Sequence, residues 1–357
     1  MKKTLLIISI IILIFLIVVF HRKNKPCPCH DNSKLPEPFS LFNNPEKELN
    51  KMKTSVVEPG VLNVKTNLAL CQYFIKSSYN TAYTGTYMNL DAITHVLSRG
   101  CRFIDFQVFL IDGKPQVAYT NDPTFTNITS KNHLLLSDVF KYVNFHGFKA
   151  PCPNPNDPLF IQLRIQPNYV EDPSAPNTHS IYKAVAQSIK FSLQNKLYKG
   201  IVTKNTLIGD IMQKIIIIID KTTSPDYKNY PNCDILNEQI NCMNLTKYIN
   251  IESGGDTLRN NTYGDLMEQL TTPPYIKNDG ENVQITTLRL TQPEKVNYSG
   301  NPLYYDFVTK YGVQFMTQRF YIQDNNLDLY EQFFNENGFA FVPFSLALPY
   351  IEKNRIY

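Results

Sequence analysis

Short apolar runs alternate with longer amphipathic stretches along most of the chain from residue 71 onward. The run of five isoleucines at 215–219, bounded by Lys214 and Asp220, is typical of a strand that is buried on both faces. Comparable runs predict strands at residues 71–76, 102–110, 116–119, 159–165, 215–219, 283–290, 313–320 and 339–344. Helical periodicity predicts helices at residues 90–98, 134–145, 181–197 and 327–337. This alternation predicts an α/β fold, a (β/α)8 TIM-type barrel.

The amino terminus has a different pattern. Residues 4–20 form an unbroken apolar run of 17 residues, preceded by Lys2 and Lys3 and followed by a basic stretch at 21–25. A cleaved signal peptide is the alternative, but its apolar core is usually shorter and no small-x-small cleavage site follows here. We therefore expect one N-terminal transmembrane helix, a signal anchor over residues 1–22, and a single-pass membrane protein. Basic residues on both flanks nearly balance, so the side of the membrane that the barrel faces stays open.

Composition limits the classes of protein that this chain can belong to. Apolar residues make up 43% of the chain and charged residues 18%, which is enough apolar material for a packed core. The net charge of +4 is too small to indicate nucleic-acid binding. Residues 23–65 are polar, contain several prolines and lack sustained periodicity, so we expect a stalk or linker there.

Two parts of the chain carry motifs in a recognisable order. Residues 71–85 read CQYFIKSSYNTAYTG, residues 97–105 read LSRGCRFID, and residues 310–344 begin KYGVQF and end NGFAFVPF. These motifs resemble the X and Y halves of the phosphoinositide-specific phospholipase C-like phosphodiesterase barrel. The resemblance implies a barrel over residues 66–350. Its X-like half would cover 70–222, an irregular linker about 223–280, and its Y-like half 281–350.

The family's reaction, which the resemblance implies, needs two histidines and a calcium ion held by an asparagine and carboxylates. The first histidine position is Tyr79, and a phenol titrates near pH 10, so it cannot carry positive charge. Asn80 matches the asparagine ligand. The acidic ligands of the second strand fall on Asp105 and Gln107, whose spacing places both on one strand face. Only one of these two carries a charge.

The remaining catalytic positions also depart from the family pattern. The loop at 118–122 lacks the second histidine. The resemblance places the last carboxylate ligand of calcium at or near position 164, and this chain has Arg164 there. An arginine there would repel calcium, but it could bind a phosphate bidentately or form a structural pair with Asp105. Arg289 falls near the family's phosphate-binding arginine, and a salt-bridge role is an equal alternative. We expect no calcium or other cofactor.

Three hypotheses for function follow. The leading one is a membrane-anchored phospholipase C-like barrel that has lost catalysis and binds a lipid headgroup or a protein. The second is a divergent, calcium-independent phosphodiesterase that acts on phosphoinositides. The third is a structural envelope or surface scaffold. The candidate catalytic residues are Tyr79, Asp105 and Arg164, and the candidate substrate-binding residues are Asn80, Gln107 and Arg289. The expected partners are the lipid bilayer and a phosphoinositide or another phosphate-bearing headgroup, with no nucleic acid; a protein partner stays unidentified.

Overall fold

A computed structural model describes most of the chain after residue 44. The described residues are 45–52, 65–169, 180–230, 243–268, 277–279, 282–285, 287–294, 300–338 and 340–355. They all fall within one compact unit that begins at Asn44. The predicted anchor lies outside the described residues, and within them no helix has the length and apolar character needed to cross a bilayer.

The described residues form thirteen strands and eight α-helices. The strands are β1 Tyr73–Ser78, β2 Phe103–Ile111, β3 Lys114–Val117, β4 Leu134–Leu135, β5 Leu159–Ile165, β6 Ile215–Asp220, β7 Ile251–Ser253, β8 Arg259–Thr262, β9 Lys277–Asp279, β10 Asn282–Gln284, β11 Arg289–Gln292, β12 Phe315–Gln318 and β13 Phe341–Pro343. The helices are α1 Pro45–Lys51, α2 Leu90–Ser98, α3 Leu136–His146, α4 Ser180–Leu193, α5 Tyr263–Glu268, α6 Tyr305–Thr309, α7 Asn325–Asn337 and α8 Phe344–Asn354.

Eight parallel strands make a nearly closed barrel. Their order is β7-β6-β5-β2-β1-β12-β11-β8. The two end strands approach each other through a single parallel bridge between Ser253 and Leu258. The expected TIM-type barrel is therefore confirmed. Strand β3 adds to β2 in antiparallel orientation, and β13 lies antiparallel to the beginning of β1.

The barrel interior is filled by alternate residues of its strands. Ile75, Phe103, Phe160, Ile216 and Phe315 belong to one buried cluster, and the Phe103 and Phe315 rings lie 4.8 Å apart. The intervening residues face outward and pack under the helices. Because side chains alternate with a period of two, polar residues two or four positions beyond this layer also face the interior. The apolar layer therefore forms the floor beneath the polar residues at the carboxyl ends of the strands.

The strand predictions were correct for the most apolar segments and failed where strands are polar. Strands β7 and β8 lie in the segment that we expected to be an irregular linker, and β8 has the sequence RNNT without an apolar residue. The predicted strands at 116–119 and 339–344 correspond to β3 and β13, which pair antiparallel outside the eight-stranded order. The predicted strand at 283–290 is divided between β10 and β11.

Local signals explain where the helices begin and end. Helix α2 begins after Asn89, whose side chain accepts a hydrogen bond from the Asp91 amide, and α7 begins after Asp324, which accepts one from the Leu327 amide. Helix α7 ends at Gly338, which adopts the left-handed conformation with φ of 114°. These caps fix the helices that cover β1 and β12.

Helix α1 lies within the segment that we expected to be a stalk. Its Glu48 side chain is buried and accepts hydrogen bonds from the Thr84 hydroxyl at 2.8 Å and from the Thr86 amide at 3.1 Å. Met52, just after the helix, is buried in the cluster that also contains Phe74. The folded unit therefore begins before residue 66.

Candidate functional site

Polar residues gather at the carboxyl ends of β1, β2 and β5, above the apolar floor. Tyr79 and Asn80 follow β1 directly, Asp105 and Gln107 lie on β2, and Arg164 lies on β5. All five residues are buried, with Tyr79 the most accessible at 4%. The structure thus brings together five of the six candidate residues. We call this group of five the mouth cluster.

Arg164 holds the mouth cluster together. Its Nε donates to Asp105 Oδ1 at 2.8 Å and its Nη2 donates to Asp105 Oδ2 at 2.6 Å. The same Nη2 donates to Asn80 Oδ1 at 2.6 Å, and Nη1 donates to the Tyr79 hydroxyl at 3.1 Å. One guanidinium therefore engages both oxygens of the carboxylate, the amide oxygen and the phenol, and the bidentate pairing is the strong form of this interaction.

The turn after β1 fixes the positions of Tyr79 and Asn80. Asn80 has a left-handed backbone conformation with φ of 45°, which asparagine tolerates better than most residues. Its backbone amide donates to Asp105 Oδ2 at 3.0 Å, and the amide of Asp105 donates to the Thr81 hydroxyl at 3.0 Å. The sequence Ser-Ser-Tyr-Asn-Thr thus folds back onto β2. Asp105 therefore has two roles: it holds the turn after β1, and it binds Arg164.

Charge in the mouth cluster is fixed by burial and pairing. Burial lowers the pKa of Arg164, but the Asp105 carboxylate and the Tyr79 phenol oppose this and leave that pKa above its ordinary value. Arg164 is therefore a permanent cation. Burial raises the pKa of Tyr79, and the nearby guanidinium offsets this only in part, so the phenol stays neutral. The guanidinium carbon also lies 4.4 Å from the centroid of the Tyr79 ring, within the range of a cation–π contact.

Gln107 has a different set of partners. Its Oε1 accepts from the Thr120 amide at 2.9 Å and its Nε2 donates to the Thr120 carbonyl at 3.4 Å. Gln107 and Arg164 are register partners on adjacent strands. The glutamine therefore anchors the loop after β3, the same loop in which the resemblance placed a histidine.

Arg289 stands apart from the mouth cluster. It is the first residue of β11, and its neighbours Leu288 and Leu290 both pack in the barrel interior. Its side chain therefore faces outward, at the amino end of the barrel, whereas Tyr79 follows the carboxyl end of β1. Burial lowers the pKa of Arg289, and the nearby Arg259 lowers it further. The structure does not bring Arg289 to the other five candidates.

Asp220 is a further polar residue of the mouth. From the sequence pattern it was expected only to mark the end of the isoleucine strand. It ends β6, is fully buried, and lies two positions beyond the interior residue Ile218. Its Oδ1 accepts from the amide and the hydroxyl of Thr222 at 2.9 and 2.7 Å. Within the described part of the chain its Oδ2 has no hydrogen-bond partner. Burial raises the pKa of Asp220, although Thr222 and the Arg164 charge act in the opposite direction.

Two amides near Arg164 also have unused hydrogen-bonding capacity within the described residues. Asn80 Nδ2 is buried without a partner, and so are both polar atoms of Gln162. Gln162 is two positions before Arg164 on β5, so it faces the interior beneath the guanidinium. Buried polar groups of this kind usually bind ordered water or a ligand. The sequence signal that could have identified them is a polar residue at alternate positions of an otherwise apolar strand.

Three tyrosines pack against one another near the turn after β1. Tyr83 stacks on Tyr119 with ring centroids 4.2 Å apart and meets the edge of Tyr321 at 4.9 Å. The hydroxyl of Tyr83 donates to the Gly85 carbonyl. Tyr79 and Arg164 themselves are almost fully buried. Among the described residues, no group of three or more histidine, cysteine or acidic side chains is arranged to bind a metal ion.

Comparisons with known proteins agree with this architecture. Residues 66–220 match the family model of the phosphatidylinositol-specific phospholipase C, X domain. No curated protein matches the chain. Among solved structures, PLC21 of L. pealei is similar at a TM-score of 0.55 and 15% identity, with 76% of this chain and 36% of that chain covered. PLC21 of S. officinalis is similar at a TM-score of 0.53, with the same identity and the same coverage. The chain thus matches about a third of the length of these proteins, and the similarity is one of fold.

Proposed function

We propose, on the premise that the chain belongs to the phospholipase C-like phosphodiesterase superfamily, that its barrel has lost calcium-dependent cleavage and serves as a membrane-anchored module that binds a lipid headgroup or a protein. The observation that carries this proposal is the set of contacts made by Arg164. Its guanidinium uses the oxygens of Asp105 and Asn80, which are the oxygens that the resemblance assigns to a calcium ion.

A calcium ion does not fit this arrangement. Calcium takes six to eight oxygen ligands, preferably several carboxylates. Here both Asp105 oxygens and Asn80 Oδ1 already accept hydrogen bonds from a cation, and Gln107 Oε1 accepts one from Thr120. A divalent ion would have to displace Arg164 while that positive charge remained in the same buried space. We therefore infer that the guanidinium is an internal cation that takes the place of the metal.

Proton transfer is the second missing function. Neither candidate position carries an imidazole, and the phenol of Tyr79 stays neutral because burial raises its pKa. The loss of one general acid or base typically reduces the rate by about 10²–10⁴-fold, so the loss of both leaves little catalysis. In this proposal the buried mouth is a rigid part of the fold, and partners would bind on the outside of the barrel. The apolar run at residues 4–20 would attach it to the bilayer.

The test is cleavage of phosphatidylinositol and its bisphosphate by the full chain reconstituted in vesicles, with calcium and with a chelator. We expect no release of inositol phosphates above the protein-free blank under either condition. A Tyr79→His variant should also stay inactive, because the second histidine and the calcium site would still be missing. Calcium-dependent turnover by the wild-type chain would overturn the proposal. Circular dichroism of each reconstituted sample establishes that an inactive protein is folded.

A divergent, calcium-independent phosphodiesterase is the second candidate, and one observation favours it. Asn80 Nδ2 and Asp220 Oδ2 are buried and without partners among the described residues, close to Arg164. A donor, an acceptor and a permanent cation are groups that could bind a phosphodiester and its hydroxyl. Turnover in the presence of the chelator that disappears in Arg164→Ala would establish this candidate. Equal background in wild type and variant would leave the binding-module proposal in place.

A further inference from the structure

Two segments that pack against each other on the outside of the barrel are rich in lysine. Residues 139–156 include the end of α3, and residues 180–209 include α4 and the chain that leads to β6. Together they contain seven lysines and no aspartate or glutamate, although the whole chain has a net charge of only +4. One of the seven, Lys141, pairs with Asp138, which lies just before the first segment. We call the surface formed by these two segments the α3–α4 surface. A positive surface of this kind attracts anionic partners.

The same surface exposes large apolar side chains. Among the described residues six large hydrophobic side chains are exposed, and four of them lie in these two segments: Phe145, Phe191, Ile201 and Leu207. Phe191 is 73% exposed and Ile201 is 78% exposed. Scattered exposed apolar residues are common, but their concentration in a lysine-rich region is a mark of an interaction site.

Direct contacts join the two segments. Asn144 Nδ2 donates to the Ser192 carbonyl at 3.0 Å and to Asn195 Oδ1 at 3.2 Å. The Lys196 ammonium lies 4.8 Å from the centroid of the Phe148 ring. The ends of α3 and α4 therefore form one continuous surface on which aromatic rings and lysines lie side by side.

Lysines and aromatic rings pair repeatedly on this surface. The Lys149 ammonium lies over the Phe145 ring, and the Lys190 ammonium lies 5.8 Å from the centroid of Phe191. A long lysine stem beside an exposed ring brings apolar area and positive charge together on one surface. At a membrane surface, such a ring inserts among the acyl chains while the ammonium remains at the phosphate level.

We propose that the α3–α4 surface docks onto an anionic lipid bilayer, with Phe145 and Phe191 inserted and Lys149, Lys196 and Lys199 at the headgroups. Charge complementarity identifies this partner, because each lysine close to an anionic leaflet adds to the attraction. The surface is separate from the mouth cluster. Both segments lead to the amino ends of β5 and β6, whereas Tyr79 and Arg164 lie at the carboxyl ends.

The chain contains no tryptophan, which permits a direct test in the full-length protein. Phe191→Trp places a single fluorophore on the α3–α4 surface, and Leu346→Trp places one on α8, at an exposed apolar residue outside it. Each variant is reconstituted in vesicles of phosphatidylcholine alone or with roughly 30% phosphatidylserine, with and without brominated acyl chains. Because both variants share the same amino terminus, the predicted anchor affects them equally.

We expect Trp emission in Phe191→Trp to shift to the blue and to be quenched by brominated lipid in the anionic vesicles only. Replacing Lys149, Lys196 and Lys199 by glutamine should reduce this quenching to the level of Leu346→Trp. The same replacement at Lys114, Lys247 and Lys353, exposed lysines outside the surface, should not change it. Equal quenching in the two Trp variants, or none in either folded variant, would overturn the proposal. An emission change with polyglutamate or an oligonucleotide but not with anionic vesicles would also overturn it, in favour of an acidic macromolecule.

Discussion

Arg164 binds both carboxylate oxygens of Asp105 inside a barrel mouth where neither residue is more than 3% exposed. A buried pair of this kind is costly to disrupt from one side only, because the remaining charge has neither water nor a partner. The pair also occupies the oxygens that the resemblance assigns to a calcium ion, and Asp105 holds the turn after β1. The stability of the mouth and the proposed loss of calcium-dependent cleavage thus depend on the same two side chains.

Asp105→Ala is expected to destabilise the protein by about 3–5 kcal/mol, because it leaves the Arg164 guanidinium buried and unpaired. The measurement is urea unfolding of the full chain, followed by circular dichroism. The matched control is Asp138→Ala, since Asp138 pairs with Lys141 at 3.1 Å on an exposed face of α3. That pair should contribute no more than about 1 kcal/mol.

Replacing both members of the pair tests whether the unpaired Arg164 charge is the main cost of Asp105→Ala. Asp105→Leu with Arg164→Met removes both charges and keeps apolar volume, so it should destabilise the protein less than Asp105→Ala does. Part of the loss will remain, because Asn80 Oδ1 and the Tyr79 hydroxyl each lose a donor. If the double variant were the less stable of the two, the unpaired guanidinium would not be the main cost.

A second buried charge group lies outside the barrel, under α7. The Glu331 carboxylate lies 3.2 Å from the Lys76 ammonium and accepts from Arg99 Nε at 2.8 Å. Glu331→Gln leaves two buried basic groups with a neutral partner. Burial lowers the pKa of Lys76 to about 7, so this group can lose its proton, and the cost falls mainly on the Arg99 guanidinium. We expect a loss of about 3–5 kcal/mol in unfolding free energy. Glu336→Gln on the same helix is the control, because that residue is exposed. A loss for Glu331→Gln no larger than the control's would show that Arg99 and Lys76 do not depend on the Glu331 charge.

The sequence was sufficient to predict the barrel because strong local signals agreed with one another. Five isoleucines between Lys214 and Asp220 are typical of a strand buried on both faces, and β6 has these bounds to within a residue. The missed strands β7 and β8 are short, and β8 has only polar and charged residues. Their positions depend on pairing with β6 and β11 across the barrel, and a local pattern does not contain that information.

The sequence indicated which residues would meet at the barrel mouth better than it indicated how they would contact one another. Spacing placed Asp105 and Gln107 on one strand face, and the structure brings both to the mouth with Tyr79, Asn80 and Arg164. Arg289 was expected at the same site, but the register of β11 places it on the outward face at the amino end. Arg164 contacts both Asp105 oxygens because of its rotamer and its burial. A sequence pattern does not determine either of these.

The buried carboxylate of Asp220 gives a pH dependence that can be measured. Burial raises the folded-state pKa of Asp220 above its unfolded value of about 3.9. Between these two pKa values the folded protein binds more protons than the unfolded chain, so this group makes the unfolding free energy fall as pH rises. Above the folded-state pKa the penalty is complete and constant. Below about pH 3.9 both states are protonated and the penalty is absent.

Asp220→Asn removes this titration and should flatten the corresponding part of the stability profile. The stability of the variant relative to wild type is expected to increase as pH rises from about 4 and then to level off, by about 1.4 kcal/mol for each unit of raised pKa. Thermal unfolding of both proteins across this range is the measurement. Asp226→Asn, at an exposed carboxylate six residues further on, should run parallel to wild type. If Asp220→Asn also ran parallel, then Asp220 would be ionised at little cost, and Arg164 would be stabilising two carboxylates rather than one.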